Sequence, residues 1–300
     1  MITGNFKGVN VALITPFNED YSIDYDALSE VLEYDISKRV DGIFVNATTG
    51  EFTSLTTEEK KQVAEFVSKK VNKRAKLFIN VSSGVFAEAE SLCKFAKDFL
   101  FDAVVSPPPY FLIPDTQGII NYFISIAQMS NLPTFIYNIP AATGYSVSES
   151  TVLKLAEMDE RIAGVKATID SSAYLRNLIE GAKAARPEFT VFTGIENLFI
   201  HNLISGGDGG ILGFANAAPH FFREAYEAFE KENTKDLTTI QRKIGKLSQI
   251  YDLTNSFAGA LKISLKLMGF NVKLVMRNPL QIDDTRLDEI KNILQEVSLI

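Results

Sequence analysis

The stretch GIFVNATTGEFTSLTTEEKKQVAEFVSKKVN, residues 42–72, carries the decisive pattern. It opens with a short apolar, β-branched run from Gly42 to Asn46 and crosses a loop of small residues. It ends in a longer segment, Thr56 to Asn72, where Val63, Phe66 and Val67 recur at helical spacing. Thr56 followed by Glu59 makes a capping box, which marks the helix start. A short apolar strand leading into a helix of this length is the repeating unit of a mostly parallel sheet.

The unit recurs on both sides. Candidate strands are Val9 to Ile14, Gly42 to Asn46, Lys76 to Val81, Ala103 to Ser106, Thr134 to Asn138, Ile162 to Ala167, Thr190 to Gly194 and Gly210 to Phe214. Between them, Asp24 to Arg39, Thr56 to Asn72, Ala87 to Phe99, Gln117 to Met129 and Ser148 to Met158 read as helices. Eight strand-helix pairs predict an α/β fold closed as a (βα)8 TIM barrel, since an open doubly wound sheet has fewer strands and a phosphate fingerprint that is absent here. The run Gly206-Gly207-Asp208-Gly209-Gly210 precedes a strand and does not open a helix, so it reads as a tight turn and not as a phosphate cradle. After Phe214 the alternation stops. Phe221 to Lys231 closes the barrel, and Leu237 to Tyr251, Ala258 to Met268 and Leu287 to Val297 extend it. The expected organisation is a barrel over residues 1–232 and a C-terminal helical extension of the same domain over residues 233–300.

Composition narrows the chemistry. A chain of 300 residues with 46% hydrophobic side chains can bury a sizeable core. With 37 acidic against 30 basic side chains and no basic run longer than a Lys69-Lys70 pair, it has no electrostatic footprint for nucleic acid, and a small metabolite is the expected partner. Cys93 is the only cysteine and His201 and His220 the only histidines, which leaves thiolate or His-rich metal sites poorly supplied. No metal or organic cofactor is expected. No window approaches a membrane span and no export signal precedes Val9, so a cytoplasmic location is expected.

Barrels of this class draw their active sites from the C-terminal ends of the strands. There the chain offers Thr48, Thr49, Gly50 and Glu51 after the second strand, Tyr137 and Asn138 at the fifth, Lys166 and Thr168 at the sixth, and Gly194 and Glu196 at the seventh. Lys166 ends an apolar strand, where an amine loses hydration that its charged form needs; a neutral amine can attack a ketone to form an imine that acts as an electron sink. The alternative is a lysine whose stem packs at the rim while its head reaches water. Tyr137 could pass a proton near such an imine or simply pack its ring in the strand. Thr48 and Thr49 offer donors suited to a carboxylate, and Gly50 allows close approach, although Thr-Thr-Gly is also an ordinary loop sequence. Glu51 reads as a brace for this loop.

Taken together, four ordered motifs resemble the Schiff-base aldolases and lyases of the superfamily of N-acetylneuraminate lyase, dihydrodipicolinate synthase and 2-keto-3-deoxygluconate aldolase. They are Ile14-Thr15-Pro16-Phe17, Asn46 to Glu51, Tyr137 to Gly144, and Gly164-Val165-Lys166, with Arg277-Asn278-Pro279 as a weaker fifth. The resemblance implies Lys166 as imine-forming lysine, Tyr137 as proton-shuttling phenol and Thr48 with Thr49 as carboxylate grip. It further implies Thr168, Gly194 and Glu196 around a polyhydroxy tail, Ile211 as a backbone contact near the keto acid, and a homotetramer. Where this chain has Ala142, dihydrodipicolinate synthases carry an arginine for the aldehyde's carboxylate. Where it has Phe111, they carry a second tyrosine, and at Gly213 neuraminate lyases typically offer a serine. These departures favour an aldolase acting on a 2-keto-3-deoxy sugar acid, with a 2-keto acid and an aldehyde as its small-molecule partners. N-acetylneuraminate lyase, a dihydrodipicolinate synthase-type condensing enzyme, a sugar-acid dehydratase and a non-catalytic metabolite-binding barrel are the rival readings.

Overall fold

A computed structural model of the chain describes residues 5–277 and 281–300. Asn278 and Pro279 of the fifth motif lie outside the described residues. The eight predicted strands are all present: β1 Gly8–Ala12, β2 Gly42–Val45, β3 Lys76–Asn80, β4 Ala103–Ser106, β5 Thr134–Asn138, β6 Ile162–Ala167, β7 Thr190–Thr193 and β8 Gly209–Leu212. They form a closed barrel in chain order, with parallel pairing, so the expected TIM barrel is the fold.

The helices are α1 Tyr25–Ser37, α2 Thr57–Val71, α3 Phe86–Asp98, α4 Thr116–Ser130, α5 Pro140–Thr143, α6 Glu149–Met158, α7 Ser172–Ala185, α8 Phe199–Ile204 and α9 Pro219–Glu230. A C-terminal set follows: α10 Thr234–Ser248, α11 Phe257–Leu267 and α12 Leu287–Glu296. Thr56 and Glu59 cap α2 reciprocally, as their spacing predicted. The connection after β5 departs from one helix per strand. Pro140 supplies a preset first helical residue, and Gly144, at φ 83, ends the turn after Thr143 and leaves α6 to start anew at its Ser148 cap.

The chain packs as two compact units, Met1–Gly8 with Lys76–Ile211 and Val9–Ala75 with Leu212–Ile300. One device recurs in both. An aspartate immediately before a strand accepts the backbone N–H of the second residue of the preceding strand: Asp41 from Val9, Asp102 from Leu77, and Asp208 from Val191, each at 2.8 Å. A charged acceptor thus satisfies a strand-end donor. The glycine run 206–210 is the tight turn expected, with Gly206 at φ 91 and Gly209 at φ 131. At Gly209 a side chain would also overlap the Gly8 carbonyl.

In the first unit the interior is aromatic. Phe135 stacks on Phe192 at 5.7 Å between ring centres, and Phe78 and Phe6 both meet Phe135 edge-on, at 5.5 and 5.2 Å. Gly164, the Cα partner of Phe135, makes room for this layer: a Cβ there would lie 2.5 Å from Phe135 Cε1. The β5–β6 register shifts between Thr134 and Phe135. Beyond the shift, Tyr137 pairs with Lys166, and Lys166 pairs with Phe192. Neighbours in register on parallel strands direct their side chains to the same face, so the register places the amine and the phenol together.

Candidate active site

Lys166 and Tyr137 are both buried, at 3% and 2% exposure, and Lys166 Nζ lies 4.2 Å from the centre of the Tyr137 ring. The amine therefore lies over the face of the phenol ring, in contact with the aromatic group that carries the hydroxyl. Hydrogen bonds frame them. Asn138, fully buried, donates through Nδ2 to the Val147 carbonyl and to Tyr174 Oη, both at 2.8 Å, and accepts from Val147 N at 3.0 Å. Burial pushes the Tyr174 phenol up to about 12, so it stays a hydrogen-bonding group across the working pH range. The Asn138 carbonyl then accepts Thr168 N at 2.8 Å, which fixes the chain just past β6.

Thr168 and Gly194 complete this cluster. Thr168 Oγ1 is buried and has no hydrogen-bond partner among the described residues, an unusual state for an interior hydroxyl. A Cβ placed on Gly194 would overlap that oxygen and lie 3.0 Å from Lys166 Cε, so the glycine is what lets the lysine stem and the threonine hydroxyl share the space. Glu196 opens the short turn Glu196–Leu198 two residues further on and is buried. Ile211 lies on β8 and is buried as well. The first unit therefore brings Tyr137, Lys166, Thr168 and Gly194 into direct neighbourhood, with Glu196 on the segment that follows.

The second unit carries Thr48 and Thr49 in the turn after β2. Thr49 Oγ1 donates to the Ala12 carbonyl at 2.6 Å, so its hydroxyl proton is committed to β1. Among the described residues the Thr49 amide N–H has no acceptor, and it is the donor this residue has left to offer. Gly50 is required for space: a Cβ would lie 2.8 Å from the Leu13 carbonyl. Glu51 follows in the left-handed region, at φ 54 and ψ 39, and donates its N–H to Thr48 O at 3.0 Å. Its carboxylate accepts from Lys262 Nζ at 2.5 Å and from Arg277 N at 3.0 Å, which agrees with the reading of Glu51 as a brace.

Arg277 in turn holds Glu59 through two contacts of 2.6 and 2.8 Å, and this guanidinium lowers the Glu59 carboxyl to about 2. Beside the turn lies a pocket of about 530 Å³, lined by Thr48, Glu51, Tyr251, Asn255, Ser256 and Arg277 among others. Sequence reasoning assigned Lys262 no role. The available signal was a lysine in the middle of an apolar helix, Ala258 to Leu267, where it is now found fully buried.

Among the described residues, no three or more His, Cys, Asp or Glu side chains group as metal ligands, and no helix is long and apolar enough to cross a membrane.

With the geometry in place, the chain can be set beside known proteins. A model of the dihydrodipicolinate synthetase family matches residues 5–297. An uncharacterized DapA-like lyase of Thermococcus onnurineus (strain NA1) is 42% identical over 292 residues, covering 97% of this chain and 99% of that protein. The probable 2-dehydro-3-deoxy-D-pentonate aldolase YjhH of Escherichia coli (strain K12) is 32% identical over 275 residues, covering 92% of this chain and 91% of that protein. Among solved structures, YagE from E. coli K12, a prophage protein of the dihydrodipicolinic acid synthase family in complex with pyruvate, matches with a TM-score of 0.96 and 30% identity. It covers 99% of this chain and 100% of its own. A family match spanning nearly every described residue, with relatives alike along almost their whole length, establishes that the chain belongs to the dihydrodipicolinate synthetase family.

Proposed function

We propose that this lyase is a pyruvate-dependent class I aldolase that reversibly cleaves a 2-keto-3-deoxy sugar acid into pyruvate and an aldehyde. The observation that carries the reading is the buried pair of Lys166 and Tyr137, in register across β5 and β6 with the amine 4.2 Å from the phenol ring. The names of two relatives support the substrate class: YjhH is a probable 2-dehydro-3-deoxy-D-pentonate aldolase and YagE a putative 2-dehydro-3-deoxy-D-gluconate aldolase.

In this mechanism Thr48 and Thr49 hold the keto acid's carboxylate, Thr49 through its amide N–H. The neutral Lys166 amine adds to the C2 ketone; Tyr137 gives its phenolic proton to the departing hydroxyl, releasing water and leaving a protonated imine and a phenolate. The phenolate takes the proton of the C4 hydroxyl as the C3–C4 bond breaks toward the imine, forming the aldehyde and a neutral enamine. Tyr137 returns that proton to C3, giving the protonated imine, and water hydrolyses it to free pyruvate and the amine, the proton released in hydrolysis restoring the Tyr137 phenol. Thr168 Oγ1, Glu196 and the space at Gly194 receive the hydroxylated tail, and the Ile211 backbone lies against the keto acid.

Borohydride treatment in the presence of pyruvate tests the reading. A reduced adduct mapping to Lys166, absent from Lys166→Ala, is expected, and an adduct that survives in that variant overturns the mechanism.

The same reading includes a homotetramer. Phe111, Leu112 and Ile113 are 93%, 79% and 61% exposed, an apolar run of the kind that association covers. Light scattering that returns a monomer at micromolar concentration refutes this part.

A further inference from the structure

Glu51 is a residue with a Cβ held in left-handed backbone conformation, which persists only where the surroundings impose it. The surroundings here are specific. Lys262 on α11 is 0% exposed, and its Nζ donates to Glu51 Oε1 at 2.5 Å and to the Val275 carbonyl at 2.8 Å. It also lies 4.5 Å from the centre of the Phe17 ring. The second Glu51 oxygen takes Arg277 N, and the Arg277 guanidinium is itself fixed by Glu59, Tyr21 O and Ser54 O. The turn from Thr48 to Glu51 is therefore anchored at two points, by Thr49 Oγ1 on Ala12 O and by the Glu51 carboxylate on Lys262. Between them stands the Thr49 N–H, which has no acceptor among the described residues.

We propose that Lys262 is a positioning residue for keto-acid recognition: through Glu51 it holds the Thr48-Thr49 turn so that the Thr49 N–H and Thr48 hydroxyl present themselves to a carboxylate. The inference rests on the reading of that turn as the carboxylate grip. Lys262 touches no substrate in this scheme. A buried lysine committed to a carboxylate and a carbonyl has its donors aimed at protein acceptors, and its effect passes through the backbone of residues 48–51. Misplacing a recognition group by an ångström weakens its contact sharply, while the imine chemistry of Lys166 proceeds once the site is filled.

The test separates affinity from chemistry. In the full-length protein, borohydride-trapped adduct is measured by mass spectrometry against pyruvate concentration. For Lys262→Met, half-saturation is expected to shift upward by about tenfold or more, with the adduct at saturating pyruvate as complete as in the parent. Should the single variant fail to fold with Glu51 left unpaired, the double variant Glu51→Gln/Lys262→Met removes the lone buried charge, and the same shift is expected. Parental half-saturation in whichever of these variants folds overturns the proposal, as does incomplete adduct at saturation, because a general loss of structure lowers the extent and not the affinity. Thr48→Val marks the underlying reading. If it weakens pyruvate binding while the Lys262 variants do not, only the positioning role falls; if Thr48→Val binds pyruvate like the parent, the carboxylate grip and the positioning role fall together.

Discussion

Gly194 stands so close to Thr168 that any side chain on it would overlap the Thr168 hydroxyl, and Lys166 Cε lies 3.0 Å from where that Cβ would begin. Two consecutive strand ends, those of β6 and β7, meet here. The Gly194 N–H donates to the Ala167 carbonyl at 2.8 Å, so β7 cannot retreat without breaking a backbone bond. Gly194→Ala must therefore displace either the Thr168 side chain or the Lys166 stem. We expect kcat/KM to fall by about 10²-fold, the scale of an ångström's misplacement of a reacting group, and stability to fall by about 1–3 kcal/mol from overpacking. Adding Thr168→Ala should recover part of the melting temperature and little of the activity. Parental kinetics in Gly194→Ala would show that the crowding is absorbed without moving the lysine.

Tyr137→Phe separates the phenol's chemistry from its packing. The ring and its contact with Lys166 Nζ remain, so pyruvate adducts should still form on borohydride reduction. Turnover should fall by about 10²-fold or more, the usual contribution of a positioned acid or base. Steady-state cleavage assays decide it: unchanged kcat removes Tyr137 from proton transfer.

Asp35 offers a prediction about stability. It is 0% exposed on α1, and neither carboxylate oxygen has a hydrogen-bond partner among the described residues. Burial raises its carboxyl well above the ordinary aspartate value. A group whose proton is held more tightly in the folded state stabilises the fold fully below its unfolded value near pH 4. That contribution is lost as pH climbs toward the folded value. Asp35→Asn keeps the shape and removes the ionisation. It should gain on the parent as pH rises above about 4, with a limiting slope of about 1.4 kcal/mol per pH unit. Urea unfolding of both proteins at pH 4, 6 and 8 measures this, and parallel pH profiles would contradict it.

How far the sequence alone could go follows from the range of each interaction. The strands and the helices around them were legible because apolar periodicity is local, and the Thr56 and Glu59 cap is only three residues wide. Lys166 and Tyr137 were legible as strand-end residues, though their register depends on the shift between Thr134 and Phe135, which one ring pressing on Gly164 accompanies. The short α5 was not foreseen, since Pro140 and Gly144 bound a single turn too brief for periodicity to register. The Lys262 contact with Glu51 spans 211 residues, and Thr49 reaches Ala12 across 37, so neither partner is inferable from neighbours in the chain. Asp35 is different. It sits seven residues after Leu28 on the buried face of α1, a place the helical period marks as apolar.

Under the proposed aldolase reading, the choice of aldehyde should turn on Ala142 and Glu196. Ala142 lies exposed in α5 and brings no cation, while Glu196 brings a buried carboxylate at the start of its turn. Aspartate semialdehyde carries a carboxylate that needs a cationic or bidentate donor; an alanine at position 142 supplies neither, and the group would be desolvated without a partner. In that reading a glutamate near the acceptor would repel that charge and accept hydrogen bonds from neutral hydroxyls. Losing a charge-assisted contact costs on the order of 2 kcal/mol, or roughly 30-fold in specificity. With pyruvate as donor, kcat/KM for glyceraldehyde should exceed that for aspartate semialdehyde by about this factor. Glu196→Ala should erode the advantage from the glyceraldehyde side by removing a hydroxyl acceptor. Ala142→Arg should erode it from the other side by giving the second carboxylate a partner. A parent enzyme that prefers aspartate semialdehyde would mean that another cation already serves that carboxylate, and Ala142→Arg would then bring no improvement.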